Sequence, residues 1–276
     1  FVSLIWTDAA VYSFQYTGSQ FVYNSSMIAK DCGLIGPNAA VTVNGIAYWM
    51  GQNNFLMYDG SVKPMPNVED IRAYVYGTSN QPDPSINSQY GYQCSAVYNP
   101  VFNEIEFHYT VTGQTSPTKT VIYSIDQQVW WPMSSTRVSG THFTQGDTRP
   151  YLGDSTGYIY QHENTFDDAG TAITWTATLS PYAMTEGLQN VDIEGVLFDF
   201  FDQAGTVTAR VDTYDRLTDT AVMDTETETI AATEAGLTDM RVSGRYIKLT
   251  LTSSVAGGFA RIGKPVAFAR ASARRR

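Results

Sequence analysis

The stretch Ala47-Tyr48-Trp49-Met50-Gly51, followed by Phe55-Leu56-Met57-Tyr58-Asp59-Gly60, decides the fold class of this chain. It reads as an aromatic strand, a short polar turn and a second aromatic strand, which is the pattern of a β-hairpin. The pattern returns about a hundred residues later, in Pro150-Tyr151-Leu152-Gly153-Asp154 and Gly157-Tyr158-Ile159-Tyr160. Hairpins that recur along a chain predict a radial or stacked array, and we therefore expect a β-propeller-like, all-β fold.

Local signals refine this prediction within the first part of the chain. Asn44-Gly45 is typical of a tight hairpin turn with positive φ. One helix is predicted to start after Pro66-Asn67, because Glu69 and Asp70 suit a first helical turn, and to end at Gly77.

The texture of the sequence changes near Asp167-Asp168-Ala169-Gly170. The strands predicted beyond this point alternate apolar and polar residues with period two, for example over 206–212 and 246–251, which indicates sheets with one solvated face. We therefore predict propeller-like blades over 1–170, a β-sandwich-like domain over 171–270 and a basic tail over 271–276. The acidic, Thr-rich segment 219–239 is predicted to be an exposed excursion.

Composition limits the function classes. No apolar run approaches the 18 or more residues of a membrane span. The chain begins at Phe1 without a Met or a signal peptide, which we take as the sign of a processed or partial chain. Cys32 and Cys94 are predicted to be buried free thiols, although a single disulfide is the alternative.

Charge is divided unevenly along the chain. Residues 241–276 contain nine Arg or Lys and no acidic residue, whereas residues 1–240 contain eight basic and 27 acidic residues. The acidic body argues against a nucleic-acid reader, which presents a basic face. The terminal Arg274, Arg275 and Arg276 are expected to contact phosphate, an acidic neighbouring subunit or only solvent.

The sequence contains no recognisable catalytic motif. His108, His142 and His162 share no metal-ligand spacing with either cysteine, so we predict no metal site and interpret His108 and His162 as satisfied structural histidines. No acidic residue stands in an aromatic context that marks it as an acid of raised pKa, as glycoside hydrolysis requires. No nucleophile elbow or phosphate-binding loop occurs. We predict no catalytic residue and no cofactor.

A turn at Ser124-Ile125-Asp126-Gln127-Gln128-Val129-Trp130 resembles the Asp-box of sialidase-like propellers, with Gln128 in place of the usual Gly. In those folds the motif is structural, because Asp braces a turn and Trp packs beneath it. The resemblance therefore supports a propeller and says little about glycosidase activity.

Aromatic residues at strand positions have two readings. They form blade cores and subunit interfaces, or they form a sugar-stacking platform. The set consists of Tyr48, Trp49, Tyr58, Tyr90, Tyr92, Trp130, Trp131, Tyr158 and Tyr160. Because Trp130 and Trp131 are adjacent, an extended strand points them to opposite faces, and one of them is a candidate interface anchor.

Three segments together resemble a known family. The first is Cys32–Val41, which contains Gly36-Pro37-Asn38, continues to Gly45–Gly51 and closes at Tyr58–Gly60. The second is Val68–Tyr76, and the third is Gly244–Leu249 followed by Ala256–Pro265. Their order is similar to that of tail-hub (nozzle) proteins of short-tailed bacteriophages, also called packaged-DNA stabilisation proteins.

The resemblance implies a structural virion protein assembled in the bacterial cytoplasm. Such a subunit forms a ring, usually of six copies, below the portal and adaptor, lines the DNA exit channel and helps to retain packaged DNA. An acidic channel wall would let DNA slide, because it repels phosphate. A carbohydrate-binding tail module and, with less support, a propeller glycosidase are the alternative functions.

Overall fold

The computed structural model describes residues 3–18, 20, 22–77, 85–185, 189–232 and 236–272. Their regular secondary structure consists almost wholly of antiparallel strands in several open sheets, which confirms the all-β prediction. The chain divides into two compact units, Phe1–Asn164 (unit 1) and Thr165–Arg276 (unit 2). Among the described residues, no helix is long and apolar enough to cross a membrane.

Unit 1 contains four antiparallel meanders that follow one another along the chain. Their strands are β1 (Ser3–Trp6), β2 (Ala10–Tyr16), β3 (Tyr23–Lys30), β4 (Ala40–Val43), β5 (Ile46–Met50), β6 (Phe55–Tyr58), β7 (Val62–Pro64), β8 (Ser95–Asn99), β9 (Glu104–Tyr109), β10 (Lys119–Ser124), β11 (Val129–Ser134), β12 (Arg137–His142), β13 (Pro150–Asp154) and β14 (Ile159–Gln161). The meanders are β1–β3, β4–β7, β8–β11 and β12–β14, and in each the neighbouring strands are also consecutive in sequence. The two four-stranded meanders, β4–β7 and β8–β11, have the strand number and order of a propeller blade.

The first strands of the second, third and fourth meanders, β4, β8 and β12, lie side by side in that order. β8 contacts both β4 and β12, and a parallel bridge joins Asn38 to Ser95. The contacts of β8 with β4 and with β12 hold the second, third and fourth meanders together. This arrangement places the face of the third sheet directly against the fourth meander.

Both local predictions for this unit are confirmed. The β4–β5 turn has positive φ at Asn44 (51°) and Gly45 (81°), as a tight hairpin requires. A short helix, α1 (Glu69–Val75), buries Ile71 and Val75, and a 3₁₀ helix covers Ser88–Gln93. Cys32 and Cys94 are buried free thiols, as predicted.

Unit 2 begins with a short hairpin and continues as two facing sheets. Its strands are β15 (Asp167–Asp168), β16 (Thr171–Ala172), β17 (Trp175–Thr178), β18 (Tyr182–Ala183), β19 (Val191–Leu197), β20 (Phe200–Ala204), β21 (Val207–Tyr214), β22 (Asp224–Ile230), β23 (Leu237–Gly244), β24 (Tyr246–Ser253), β25 (Phe259–Ile262) and β26 (Val266–Ala271). One sheet has the order β17-β24-β21-β22, with β18 also paired to β24, and the other has the order β23-β19-β26. β20 and β25 form a separate pair.

The core of unit 2 lies between these two sheets. Val211 and Leu249 of the larger sheet pack in one cluster with Ile193 and Met240 of the smaller sheet. This is the layer arrangement of a β-sandwich. The prediction of an exposed excursion over 219–239 is wrong in part, because β22 and the start of β23 are hydrogen-bonded strands of these two sheets. The Thr/Glu alternation of β22 suits a strand whose outer face meets water.

The turn that resembles an Asp-box has a structural role. Asp126 Oδ1 accepts a hydrogen bond from Asn103 Nδ2 at 2.7 Å, and Trp130 packs on Tyr123 with ring centroids 4.7 Å apart. Gln128 has φ of 56°, the left-handed conformation that favours glycine. The residue that departs from the usual motif therefore occupies the position at which the backbone calls for Gly.

Replacing Gln128 by Gly is expected to stabilise unit 1 by about 0.5–1 kcal/mol, because it removes the steric penalty of a side chain at positive φ. The backbone oxygen of Gln128, which accepts a hydrogen bond from Asn67 Nδ2, is retained. Urea unfolding of the wild type and Gln128→Gly measures the change. The matched control, Gln127→Gly, lies outside the positive-φ residues and should be neutral or destabilising. Equal destabilisation by both changes would contradict the assignment of strain to Gln128.

Candidate functional site

Strand β9 has two buried faces of opposite chemistry. Ile105, Phe107 and Tyr109 point into the apolar core of unit 1. Strand alternation therefore directs Glu104, Glu106 and His108 to the other face. That face is not exposed to solvent along its length, because Glu106 is 3% exposed and His108 is fully buried. One enclosed carboxyl group, one half-buried carboxyl group and an enclosed imidazole thus share one face of the strand.

Side chains from the end of β8, from the start of β12 and from the segment after β14 contact the polar face of β9. Asn99 at the end of β8 donates from Nδ2 to Glu163 Oε1 at 2.8 Å. The guanidinium of Arg137, at the start of β12, donates from Nε to His162 Nε2 at 3.1 Å and lies 3.7 Å from the centre of the Tyr160 ring. One ligand atom from each of Glu106, His162 and Glu163 lies within 4.8 Å of the other two. We call the group the polar cluster; it consists of Asn99, Glu104, Glu106, His108, Arg137, His162 and Glu163.

Burial controls the protonation of the carboxyl groups. Desolvation, with the charge of Glu163 as a second cause, raises the pKa of Glu104 to about 7. Desolvation and the charges of Glu163 and Glu104 raise the pKa of Glu106 to about 8, against a smaller opposing hydrogen bond from Asn99. Desolvation also raises the pKa of Glu163, and its hydrogen bond from Asn99 opposes the rise. At neutral pH, Glu106 therefore holds a proton.

The neighbouring histidine is neutral as well. Desolvation, His162 and Arg137 lower the pKa of His108 to about 3. His108 Nδ1 shares a hydrogen bond of 2.7 Å with Thr120 Oγ1, whereas its Nε2 lies 3.6 Å from Glu106 Oε2. The distance is that of an ion pair, but the raised pKa of Glu106 and the lowered pKa of His108 both favour the uncharged forms. The expectation of a satisfied structural His108 is wrong on one side of the ring, because Nε2 has no hydrogen-bond partner among the described residues.

These carboxyl groups were not predicted to be site residues. Their pKa values are raised by the meander packed over their face, and the composition of the neighbouring sequence does not reveal that packing. The signal available in the sequence was the run Glu104-Ile105-Glu106-Phe107-His108-Tyr109, in which polar residues alternate with large apolar ones. That pattern is also typical of a half-exposed strand. Only the contact with the fourth meander distinguishes the two cases.

The predicted interface residues have different surroundings. Trp130 faces the core, where its Nε1 donates to Pro66 O at 2.9 Å and its ring packs on Phe55. Trp131, on the other face of β11, is half-buried and stays a candidate for contact with another molecule. The predicted contacts of Arg274, Arg275 and Arg276 lie outside the described residues.

The proposed sugar-stacking set does not form one surface. Tyr48 and Trp49 are buried, whereas Tyr92 and Tyr158 are exposed. A different exposed aromatic group lies on the β2–β3 hairpin. There Phe14 stacks on Tyr23 with centroids 4.9 Å apart, and Tyr16 meets Tyr23 edge-on at 5.7 Å.

Unit 2 exposes a row of apolar side chains across its smaller sheet. Leu197 of β19 is the direct cross-strand partner of Leu237 on β23 and of Val266 on β26. All three are exposed, and Phe268 lies further along β26. We call these four residues the apolar row. Beside it, Phe201 is 77% exposed and lines, with Leu197, Val266 and Lys264, a groove of about 520 Å³.

Comparisons with known proteins add little to this description. No protein-family model matches the chain, and no curated protein matches it. Among solved structures, the chain is similar to an exo-β-1,3-galactanase from Phanerochaete chrysosporium with galactose, at 8% identity and a TM-score of 0.23. The similarity covers 97% of this chain and 95% of that one. A TM-score this low carries no argument about fold or activity.

The polar cluster makes the stability of unit 1 depend on pH in a defined window. The pKa of Glu106 is 4.5 in the unfolded chain and about 8 in the folded state, so between these values only the folded state holds the proton. The stability that this proton contributes is therefore lost as pH rises through about 8. His108 has the opposite effect between its unfolded value of 6.5 and its folded value of about 3, since the unfolded chain gains that proton. The two effects oppose each other between 4.5 and 6.5, and above 6.5 the loss due to Glu106 is uncompensated.

In a chelating buffer, we expect the free energy of unfolding to fall by on the order of 1.4 kcal/mol per pH unit between pH 6.5 and 8. Glu106→Gln keeps the shape but cannot ionise, so its curve should be flatter in this window. Denaturant unfolding at several pH values measures both proteins. The control, Glu69→Gln on the exposed helix surface, should follow the wild type. Equal slopes for wild type and Glu106→Gln would show that Glu106 is not protonated in the folded state.

Proposed function

We propose that this chain is a non-catalytic structural subunit of a bacteriophage tail. In this role it assembles as a ring-forming hub or nozzle, lines the DNA exit channel and helps to retain packaged DNA. The family resemblance of Cys32–Gly60, Val68–Tyr76 and the Gly244–Pro265 region supplies the specific role. The meanders of unit 1 would serve as propeller blades. Contacts with the portal or adaptor and location in the virion are parts of the same proposal.

The observation that carries the assembly part is the apolar row. Monomeric proteins seldom expose contiguous large apolar side chains, and such patches mark contacts with other molecules. Leu237, Leu197 and Val266 are cross-strand neighbours, so their side chains form a continuous strip rather than scattered exposures. Burial of this strip against a second copy supplies the apolar centre of a subunit interface.

Charge supports the choice of a second copy as the occupant. Lys264 lines the groove beside the apolar row, and Arg261 and Arg270 lie on β25 and β26, while residues 1–240 are strongly acidic. A head-to-tail contact between this basic edge and the acidic surface of the next subunit closes a ring by rotation. The acidic remainder would then repel DNA phosphate and allow passage without a grip.

Burial of the polar cluster supports the absence of catalysis. Glycoside hydrolysis needs two carboxyl groups that reach across a bound sugar. Glu106, the most perturbed of the three carboxyl groups, lies almost wholly inside unit 1. A polysaccharide has no approach to such a group without separation of two packed sheets.

A carbohydrate-binding tail module remains the second candidate because of the β2–β3 hairpin. Phe14, Tyr16 and Tyr23 form an exposed aromatic group, and Tyr23 is its centre. Binding to a glycan array by the wild type, abolished in Tyr23→Ala with unchanged assembly, would favour this function.

The assembly proposal predicts an oligomer that depends on the apolar row. We expect the purified chain to sediment as an oligomer at micromolar concentration, and Leu197→Glu to weaken association at least tenfold, since it places an unpaired charge at the interface centre. Analytical ultracentrifugation over a concentration series measures the association constant. Thermal unfolding checks that the variant remains folded.

The matched control is Leu217→Glu, which makes the same change at another exposed leucine of unit 2. Its association should equal that of the wild type. A wild type that stays monomeric up to about 100 μM, well above typical subunit concentrations, contradicts the proposal. Equal weakening by both variants would mean that net charge, and not the apolar row, controls assembly.

A further inference from the structure

Two buried polar atoms of the polar cluster lack partners. Glu106 Oε2 and His108 Nε2 are enclosed and accept or donate no hydrogen bond among the described residues. Such a group costs about 1–3 kcal/mol when left unsatisfied, and native proteins contain few of them. Two that face each other at 3.6 Å point to a missing ligand between them.

The surrounding atoms are those of a cation site. Glu106, His162 and Glu163 each offer a ligand atom within 4.8 Å of the other two. In a tetrahedral site with bonds of about 2.0–2.1 Å, neighbouring ligand atoms are about 3.4 Å apart. The 3.6 Å between Glu106 Oε2 and His108 Nε2 already matches that spacing. His162 and Glu163 complete the set through side-chain movement from positions within 4.8 Å of the Glu106 ligand atom.

We propose that the polar cluster is a binding site for a divalent transition-metal cation such as Zn²⁺, held by Glu106, Glu163 and His162, with His108 Nε2 as the fourth ligand. Two carboxylates balance the charge of the ion. The imidazoles favour zinc over calcium or magnesium, which take six or more oxygen ligands. The site is independent of the proposed role in assembly.

The present hydrogen bonds show what binding must displace. Arg137 Nε donates to His162 Nε2, so this lone pair is occupied until the guanidinium moves. The Arg137 guanidinium carbon already lies 3.7 Å from the centre of the Tyr160 ring, so the guanidinium can stay over that ring after it leaves His162. Asn99 Nδ2 can keep its hydrogen bond to Glu163 Oε1, because a carboxylate has a second oxygen for the metal.

The consequence for the fold is a cross-link between meanders. Glu106 and His108 lie on β9 of the third meander, while His162 and Glu163 follow β14 of the fourth. A bound ion joins them in the folded state alone, since the unfolded chain does not bring these residues together. Metal binding therefore stabilises unit 1.

The test uses the full chain without a polyhistidine tag, stripped with a chelator and titrated with ZnCl₂ at pH 8. We expect one Zn²⁺ per chain by calorimetry and elemental analysis. The midpoint of thermal unfolding should rise by roughly 5–10 °C at a hundredfold excess over the dissociation constant. CaCl₂ at the same concentration should produce no rise.

Glu106→Gln should lose at least tenfold in Zn²⁺ affinity, while its unfolding midpoint in chelator stays at or above that of the wild type. The matched control, Glu69→Gln, makes the same change on the exposed surface of α1, outside the polar cluster, and should keep stoichiometric binding. Both variants retain Cys32 and Cys94, so zinc held by a thiol would bind them equally. Absence of stoichiometric Zn²⁺ in the wild type, equal affinity for Glu106→Gln, or an equal response to Ca²⁺ would each overturn the proposal.

Discussion

The burial of strand β9 on both faces is the constraint on which the rest of unit 1 depends. Its apolar residues fill the core, and on its other face Glu106 and His108 are enclosed while Glu104 is half-buried. Everything unusual in the polar cluster follows from this geometry. The raised pKa of Glu106, the lowered pKa of His108 and their unpartnered atoms are consequences of polar groups enclosed by a second sheet.

Local structure in this chain was predictable, because it depends on neighbours in sequence. Asn44-Gly45 determines its turn through its own backbone preferences, and Glu69 to Gly77 contains the signals of a helix start and stop. The polar cluster was not predictable, since it joins residues such as Asn99 and Glu163 that are 64 positions apart. A single strand with alternating polarity does not reveal whether water or another sheet lies over its polar face. Tertiary packing determines this, and in β9 it places another meander, and not water, over most of the polar face.

The apolar row has a different origin, which lies in the backbone of β19. Val191 and Ile193 are buried in regular alternation, but the pairing register shifts between Ile193 and Gly195. After this bulge the inward phase passes to Val196, and Leu197 turns outward. Gly195 permits the bulge, because a Cβ at this position would lie 2.9 Å from the oxygen of Thr238. A sequence pattern read with constant period places Leu197 inside, and this is why the exposed row was not predicted.

The two units therefore depart from the usual distribution of polarity in opposite directions. Unit 1 encloses polar groups, and unit 2 exposes apolar ones through a local change of strand phase. Neither arrangement is satisfied by the single chain. Enclosed carboxyl groups are satisfied by protons or a cation, so their effect depends on pH and ion concentration. An exposed apolar strip is satisfied by another surface, so its effect depends on protein concentration. The polar cluster and the apolar row lie in separate units and respond to different solution conditions. Each can therefore be altered by mutation without the other, and a result obtained for one does not test the proposal made for the other.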